Sequence, residues 1–376
     1  MHLYFHIPFC KTKCAYCAFY SCTETKLIDS FVDALCYEIL LRKNELDQNE
    51  IIQTIYFGGG TPSLLSQHHF LQIFNTIKSI CDISKCKEIT IEVNPDDISA
   101  EYAKMLHSLP FNRISIGIQS TNNERLSFIQ RRHDSQQAFD AVKQLQTNGF
   151  SNISLDLIFG FPNQTILELQ NDLNSLIALQ PTHISTYNLT FEGETPLVEK
   201  LKNKEIHELD ENTSIQMYKT IINTLNQHGY LQYEVSNFAK KGKESIHNSC
   251  YWTQKPYIGY GPAAHSYDGK NIRRWNLSDL KKYIQSFENQ TNIPFDTENL
   301  SQTDLANELL MTRLRTKKGL NIKDLASKTT EKELEKIEQK LLKFILSDDI
   351  KKQNQNYKLT KKGFLRTDYI ISELFL

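Results

Sequence analysis

Short β-rich runs recur along the first half of the chain, at Leu3–Ile7, Thr54–Phe57, Glu88–Val93, Arg113–Ile118, Ile153–Phe159 and His183–Leu189, with helix-like segments between them. A strand with its following helix takes roughly 30 residues, the size of a βαβ unit. Between the first two runs, Leu27, Phe31, Leu35, Ile39 and Arg42 follow a helical spacing with the apolar residues on one face. Six parallel strands with crossover helices make either an open doubly wound sheet or a full or partial barrel. Both place functional residues just after the carboxyl ends of the strands. Cys10 to Cys17, Gly58 to Pro62, Asn94-Pro95, Gln119, Gly160 to Pro162 and Glu192 fall there, so one mouth collects them.

With 376 residues the chain is long enough for one large domain with an appendage. Apolar residues make up 40% and charged residues 23%, as in ordinary folded proteins, which excludes disorder and fibrous repeats. The formal charge of -1 provides no global field toward nucleic acid or an anionic membrane. No apolar run approaches the length of a spanning helix, and Met1-His2-Leu3-Tyr4-Phe5-His6 does not read as a targeting segment.

Eight cysteines are too few for a disulfide scaffold in a chain of this length, and they bunch toward one end. The expectation is a reducing cytoplasm and a metal or reactive site near the start. Cys10-Lys11-Thr12-Lys13-Cys14-Ala15-Tyr16-Cys17 puts three thiols on the loop after the first strand. Such a triplet can hold an iron-sulfur cluster with one iron left open, or zinc completed by His6. Gly58-Gly59-Gly60-Thr61-Pro62 is a tight turn with exposed backbone after the second strand, and the absence of a following Lys-Ser or Lys-Thr excludes a Walker phosphate loop.

The CxxxCxxC loop after the first strand of such a series resembles the radical S-adenosylmethionine superfamily. The resemblance implies a partial (β/α)6 TIM-like barrel, a [4Fe-4S] cluster on Cys10, Cys14 and Cys17, and S-adenosylmethionine chelated to the open iron. Further blocks resemble the porphyrin-related branch: His6-Ile7-Pro8-Phe9-Cys10, Asp156-Leu157-Ile158-Phe159-Gly160-Phe161-Pro162, and Ile184-Ser185 with Tyr187, Leu189 and Glu192. By that likeness Tyr4, Tyr16, Gly60, Thr61, Pro62, Glu92, Gln119, Arg131 and Asp156 contact the adenosyl cofactor. Arg131 is chosen over Arg132 by its spacing from Gln119. Cys22 is the nearby spare thiol and is expected not to ligate the resting cluster.

Two local differences separate the members of this branch. Its oxygen-independent coproporphyrinogen III oxidases resemble CxxxCxxCxC, whereas Phe19 stands at the fourth cysteine's place here. His247-Asn248-Ser249-Cys250-Tyr251-Trp252 resembles the HNxxYW signature of haem chaperones of the HemW type. That segment supplies one nitrogen donor and two aromatic faces, which suit a flat macrocycle carrying iron. His247, Asn248, Tyr251 and Trp252 are the expected haem contacts, with His265 as a rival ligand.

The resemblance implies a haem chaperone more than an enzyme: haem is the cargo, and a haem-dependent, respiratory apoprotein receives it. A flavodoxin or ferredoxin would donate electrons if the adenosyl cofactor is cleaved. The alternatives are oxidative decarboxylation of coproporphyrinogen III and a zinc-stabilised binding protein. The expected division is a barrel over 1–240, a haem-signature and connecting region over 241–300, and a smaller, mostly helical domain over 301–376 that could carry a β wing at Tyr357 to Thr360. From Thr312 to Arg366, thirteen Lys and three Arg stand against seven acidic residues, a local charge of +9. No base-reading motif accompanies that charge, so nucleic acid is not an expected partner, whereas peripheral contact with the inner face of the membrane is compatible with it.

Overall fold

The computed structural model describes residues 1–46 and 50–376. All six expected strands form: β1 (His2–Ile7), β2 (Thr54–Gly59), β3 (Glu88–Val93), β4 (Arg113–Gln119), β5 (Ile153–Phe159) and β6 (His183–Asn188). They pair in parallel and in chain order. The crossovers are α1 (Ile28–Leu41), α2 (Gln67–Ile80), α3 (Ala100–His107), α4 (Asn123–Phe128), α5 (Ser135–Thr147) and α6 (Ile166–Ala178), followed after β6 by α7 (Pro196–Lys202) and α8 (Glu211–Gln227). The result is the partial (β/α)6 barrel. Helix starts obey local chemistry: Asp134 and Gln137 form a capping box at α5, and Thr165 and Glu168 one at α6.

Successive side chains on a strand point to opposite faces. Leu3, Phe5 and Ile7 of β1, Ile55 and Phe57 of β2, Ile89, Ile91 and Val93 of β3 and Ile114, Ile116 and Ile118 of β4 all enter one continuous core with the helices. The alternate positions face inward, where cross-strand neighbours meet: Tyr4 stacks on Tyr56, Tyr56 donates to Glu92, and Ser154 lies 2.7 Å from His183. Apolar packing on the outside thus stabilises a barrel whose inner face is polar.

The sheet does not stop at the barrel strands. After α8 come β7 (Leu231–Gln232), β8 (Asn237–Ala239), α9 (Ile246–Trp252), β9 (Tyr257–Tyr260), β10 (His265–Tyr267), β11 (Ile272–Asn276), α10 (Leu280–Glu288) and β12 (Phe295–Asn299). Among the described residues twelve strands share one sheet, ordered β12-β11-β10-β9-β1-β2-β3-β4-β5-β6-β8-β7. β9 adds to β1 in parallel, and β10 to β12 continue antiparallel. The region 241–300 is therefore woven into the barrel sheet, beside the first strand.

Residues beyond 300 have a separate apolar core that includes Leu310, Leu314, Ile337, Leu341, Ile370 and Leu374. This part comprises α11 (Gln302–Leu314), β13 (Leu320–Asn321), α12 (Ile322–Ala326), α13 (Glu331–Leu346), β14 (Ile350–Gln353), β15 (Asn356–Leu359), α14 (Lys361–Phe364) and α15 (Thr367–Leu374). Three short strands in the order β13-β15-β14 form the wing. No described helix is long and apolar enough to cross a membrane.

Candidate functional site

The thiol loop leaves β1 and is closed at its base. Cys22 N donates to Pro8 O at 2.7 Å and Cys10 N to Cys22 O at 2.9 Å, so Cys22 serves the loop through its backbone. Ala15 N donates to Ile129 O, and Ala15 O accepts from Leu197 N, which ties the middle of the loop to two distant segments. Cys10, Cys14 and Cys17 remain partly accessible inside this frame. Burial pushes the Cys17 thiol up, and Cys14 and Cys10 add to the shift, which places the three sulfurs in mutual electrostatic range. Among the described residues no three His, Cys, Asp or Glu side chains converge as a ready-made single-ion site.

Donors aim at the sulfurs. Thr61 Oγ1 donates to Cys10 Sγ at 3.4 Å, and Arg131 Nη1 to Cys14 Sγ at 3.5 Å. Each bond holds the sulfur that it reaches in a fixed direction. Three thiols on one closed loop, with cationic and hydroxyl donors behind them, fit a cluster that leaves one iron open. On these grounds Cys10, Cys14 and Cys17 are the residues that would hold it.

The glycine turn approaches this loop as closely as backbone can. Gly60 N donates to Ile7 O at 2.8 Å, and a Cβ on Gly60 would lie 2.7 Å from Phe9 O. Gly59 has φ +106, and a Cβ there would strike the His6 ring at 2.6 Å. Glu92 sits beneath the turn, accepting from Gly59 N at 3.2 Å and from Tyr56 OH at 2.7 Å. Burial pushes its carboxyl up to about 7, against the lowering effect of the Tyr56 bond. Asp156 is pushed up to about 6 by burial, with Ser185, Arg113 and Ser115 pulling the other way. Two carboxyls in a low-dielectric mouth suit an ammonium or a sugar hydroxyl better than an anion.

Gln119 closes β4 with φ +71, next to a register shift between Ile116 and Gln119. That irregularity turns its side chain over Gly117, where an added Cβ would meet Gln119 Nε2 at 2.8 Å and Arg131 Nη2 at 3.2 Å. The two adjacent arginines diverge. Arg131 enters the mouth, donating from Nη2 to Asn94 Oδ1 and Gly117 O at 2.7 Å each, with its Nε unpartnered. Arg132 turns away and pairs with Asp96 at 2.7 Å. Asn94 also donates to Thr61 Oγ1 at 3.2 Å and so couples the turn to Arg131. Its location at a strand end is readable in the chain, but this bridging role is not. Tyr16 is pushed up by burial and faces Arg131, and Pro62 is buried at the start of the helical turn after Thr61.

The haem-signature segment is helix α9, and it divides. Ser245 caps it by accepting from Asn248 N at 3.2 Å, while Glu88 accepts from Ile246 N and His247 N at 2.7 and 3.0 Å. His247 is 1% exposed. Its Nδ1 lies 2.7 Å from Thr54 Oγ1, its Nε2 lies 2.8 Å from Tyr251 OH, and its ring stacks on Tyr56 with centroids 4.9 Å apart. Thr54 opens β2, which runs to Gly59, and Tyr56 lies within it, so His247 sits inside the barrel beside the first half of that strand. Both ring nitrogens are thus engaged inside the barrel, on Thr54 and Tyr251. The half-buried Tyr251, one turn further along, does reach the surface of the mouth, whereas Asn248 contributes a backbone contact and Trp252 lies outside the cleft.

That cleft has a volume of about 750 Å³. Tyr251, Tyr257, Tyr20 and Phe19 provide its aromatic walls, and Lys13 and His265 its polar edges. Phe19 is 71% exposed, a large apolar side chain held in water beside the thiol loop. No local sequence pattern points to Tyr257, because it arrives on β9 through pairing with β1.

Known proteins match this arrangement. Residues 4–176 match the radical SAM superfamily, and residues 300–366 match the HemN C-terminal domain. The heme chaperone HemW of Bacillus subtilis is 34% identical over 328 residues, covering 86% of each chain. The HemW of Lactococcus lactis is 35% identical, covering 86% of this chain and 84% of its own. The structure of coproporphyrinogen III oxidase HemN from Escherichia coli superposes with a TM-score of 0.82 at 22% identity, covering 99% of this chain and 89% of that one. The whole architecture, wing included, is thus shared with HemN, and the sequence lies with the chaperones: the chain belongs to the HemW family of the radical SAM superfamily.

Proposed function

We propose that the chain carries a [4Fe-4S] cluster on Cys10, Cys14 and Cys17, holds S-adenosylmethionine in the mouth above it, and binds haem for delivery to a haem-requiring apoprotein. The observation that carries this reading is Phe19. Where the oxidases of the branch resemble a fourth cysteine, this chain exposes an apolar ring on the wall of an aromatic cleft. Water-exposed aromatic surface of that kind calls for an apolar occupant.

The residues of the mouth divide the work. Thr61 and Arg131 orient the sulfurs of Cys10 and Cys14, Gly59 and Gly60 bring backbone within reach of the cofactor's amino acid end, and Glu92 and Asp156 receive positive or hydroxyl groups. Tyr4 and Tyr16 pack along it, Gln119 sets its far edge, and Pro62 holds the turn that carries Thr61. When bound, the cluster supplies a one-electron donor next to the cofactor's sulfonium. The partner that would charge it is a small electron carrier, and the recipient of haem is a respiratory apoprotein.

The test is anaerobic reconstitution with iron and sulfide, then haem titration and a coproporphyrinogen III turnover assay on the same preparation. Saturable haem binding without turnover is expected. Formation of protoporphyrinogen IX would instead make the chain a porphyrin-forming enzyme. Zinc in place of iron and sulfide in the isolated protein would overturn the cluster assignment.

A further inference from the structure

Three histidines stand around or below the cleft, and their ring nitrogens are committed differently. His6 is buried, with Nδ1 3.2 Å from Tyr4 OH and Nε2 2.9 Å from Tyr20 O. His247 is spent on Thr54 and Tyr251. His265 faces solvent on the cleft wall, and among the described residues neither of its nitrogens has a hydrogen-bond partner. Burial of one face, together with Arg273, holds its imidazole below the ordinary histidine range, so the neutral, ligating form prevails at neutral pH.

The ring is held in place although it is exposed. It stacks on Trp275 with centroids 5.8 Å apart and planes 23° from parallel, and the two residues are paired across β10 and β11. Its backbone is pinned as well, since a Cβ at Gly259 would lie 2.1 Å from His265 O. A rigid imidazole with free nitrogens on the rim of an aromatic cleft has the form of a preorganised metal ligand. Lys13, on the same cleft, supplies a cation for the carboxylate edge of a macrocycle. The volume of about 750 Å³ falls within the ~300–1,000 Å³ of small-molecule sites.

We propose that His265 is the protein ligand to haem iron, with the macrocycle lying in the cleft against Phe19, Tyr251 and Tyr257 and a propionate on Lys13. This rests on the haem-carrier reading and goes beyond it in naming the ligand and the wall. The iron gains one imidazole nitrogen as an axial ligand in place of solvent, with no change of oxidation state. His247 stays on Thr54 and Tyr251 inside the barrel, off the iron.

The test titrates hemin into the full-length, cluster-loaded protein and its variants, each checked first for unchanged iron and sulfide content. His265→Ala should raise the Kd by about tenfold or more, equivalent to ~1.4 kcal/mol or more, and shift the Soret band. His265→Met should still bind hemin, with a changed ferric EPR spectrum, because a thioether replaces the nitrogen. His247→Gln should keep the wild-type haem spectrum. If the wild type binds no hemin saturably, the carrier reading itself falls. If the wild type binds and His265→Ala matches it in Kd and Soret band, the ligand assignment alone is overturned, as it is if His247→Gln is the variant that changes the spectrum.

Discussion

Glu92 and Asp156 show how single carboxyls in this mouth respond to their surroundings. Glu92 stands one residue from the end of β3 and Asp156 midway along β5, and desolvation raises both, to about 7 and about 6. For Glu92 the ordinary value is 4.5, so the unfolded chain ionises first as pH rises. The folded protein keeps its proton until about pH 7, and its stability therefore falls between about pH 4.5 and pH 7 and levels off above. A cationic ligand prefers the carboxylate, so binding should run the other way. S-adenosylmethionine should bind cluster-loaded protein about tenfold more tightly at pH 8 than at pH 6. Calorimetric titration at the two pH values checks this, and Glu92→Gln should flatten the difference. Gly60 is a second residue where one atom decides. Its missing Cβ leaves room for the carbonyls of Ile7 and Phe9, backbone atoms that cannot swing aside. Gly60→Ala should therefore displace the thiol loop and lower the iron and sulfide retained after reconstitution, whereas Arg132→Ala, which loses a partly exposed pair, should change stability by about 1 kcal/mol or less.

Elements are legible in a sequence when their cause is local, and this chain contains both kinds. β1 to β6 follow from short β-rich runs between helical periods, and their carboxyl ends with the loops that follow contain the cysteines, the glycine turn and Gln119. The strict alternation in Glu88-Ile89-Thr90-Ile91-Glu92-Val93 even states which side chains face the barrel. β9 and β10 have no such signal: they are four and three residues long, β9 is ordered by pairing with the distant β1, and β10 by pairing with β9 and β11. The same non-locality hides the state of His247, whose Nδ1 partner Thr54 is 193 positions away. Helix α1 supports this distant element. Glu38, fully buried, accepts from Arg42 at 2.8 Å, Gly261 N at 2.8 Å, Asn276 at 2.8 Å and Tyr283 OH at 2.7 Å, which clamps the β9–β10 turn onto the barrel. Removing the Glu38 carboxylate leaves Gly261 N, Asn276 Nδ2 and Tyr283 OH without that buried acceptor and Arg42 with Glu45 as its remaining acidic partner. Glu38→Ala should thus lower stability by about 3–5 kcal/mol, read by urea denaturation.

At the scale of the whole molecule, the part beyond residue 300 has its own core and most of the excess positive charge, yet it leans on the haem-signature helix. α11 packs beside α9, and Arg313 Nη2 reaches Thr253 O at 3.5 Å, at the carboxyl end of α9, where a cation is favoured by the helix dipole. Glu308 pairs with Arg273 at 2.7 Å, Lys317 N donates to Tyr233 O, and Tyr267, Leu300 and Leu305 bury a small apolar seam. None of these contacts touches Cys10 to Cys17 or the glycine turn, which are tied instead to Ile129, Leu197 and Ile7. The cluster loop and the cleft should therefore depend differently on the carboxyl-terminal domain. A chain ending at residue 300 should keep its capacity for iron and sulfide while holding haem less tightly, because α9, which carries Tyr251, and the strand pair next to Arg273 lose their outer support. Reconstitution followed by haem titration of the truncated and full-length chains separates the two capacities. Equal loss of both would mean that the barrel itself needs the second core in order to fold.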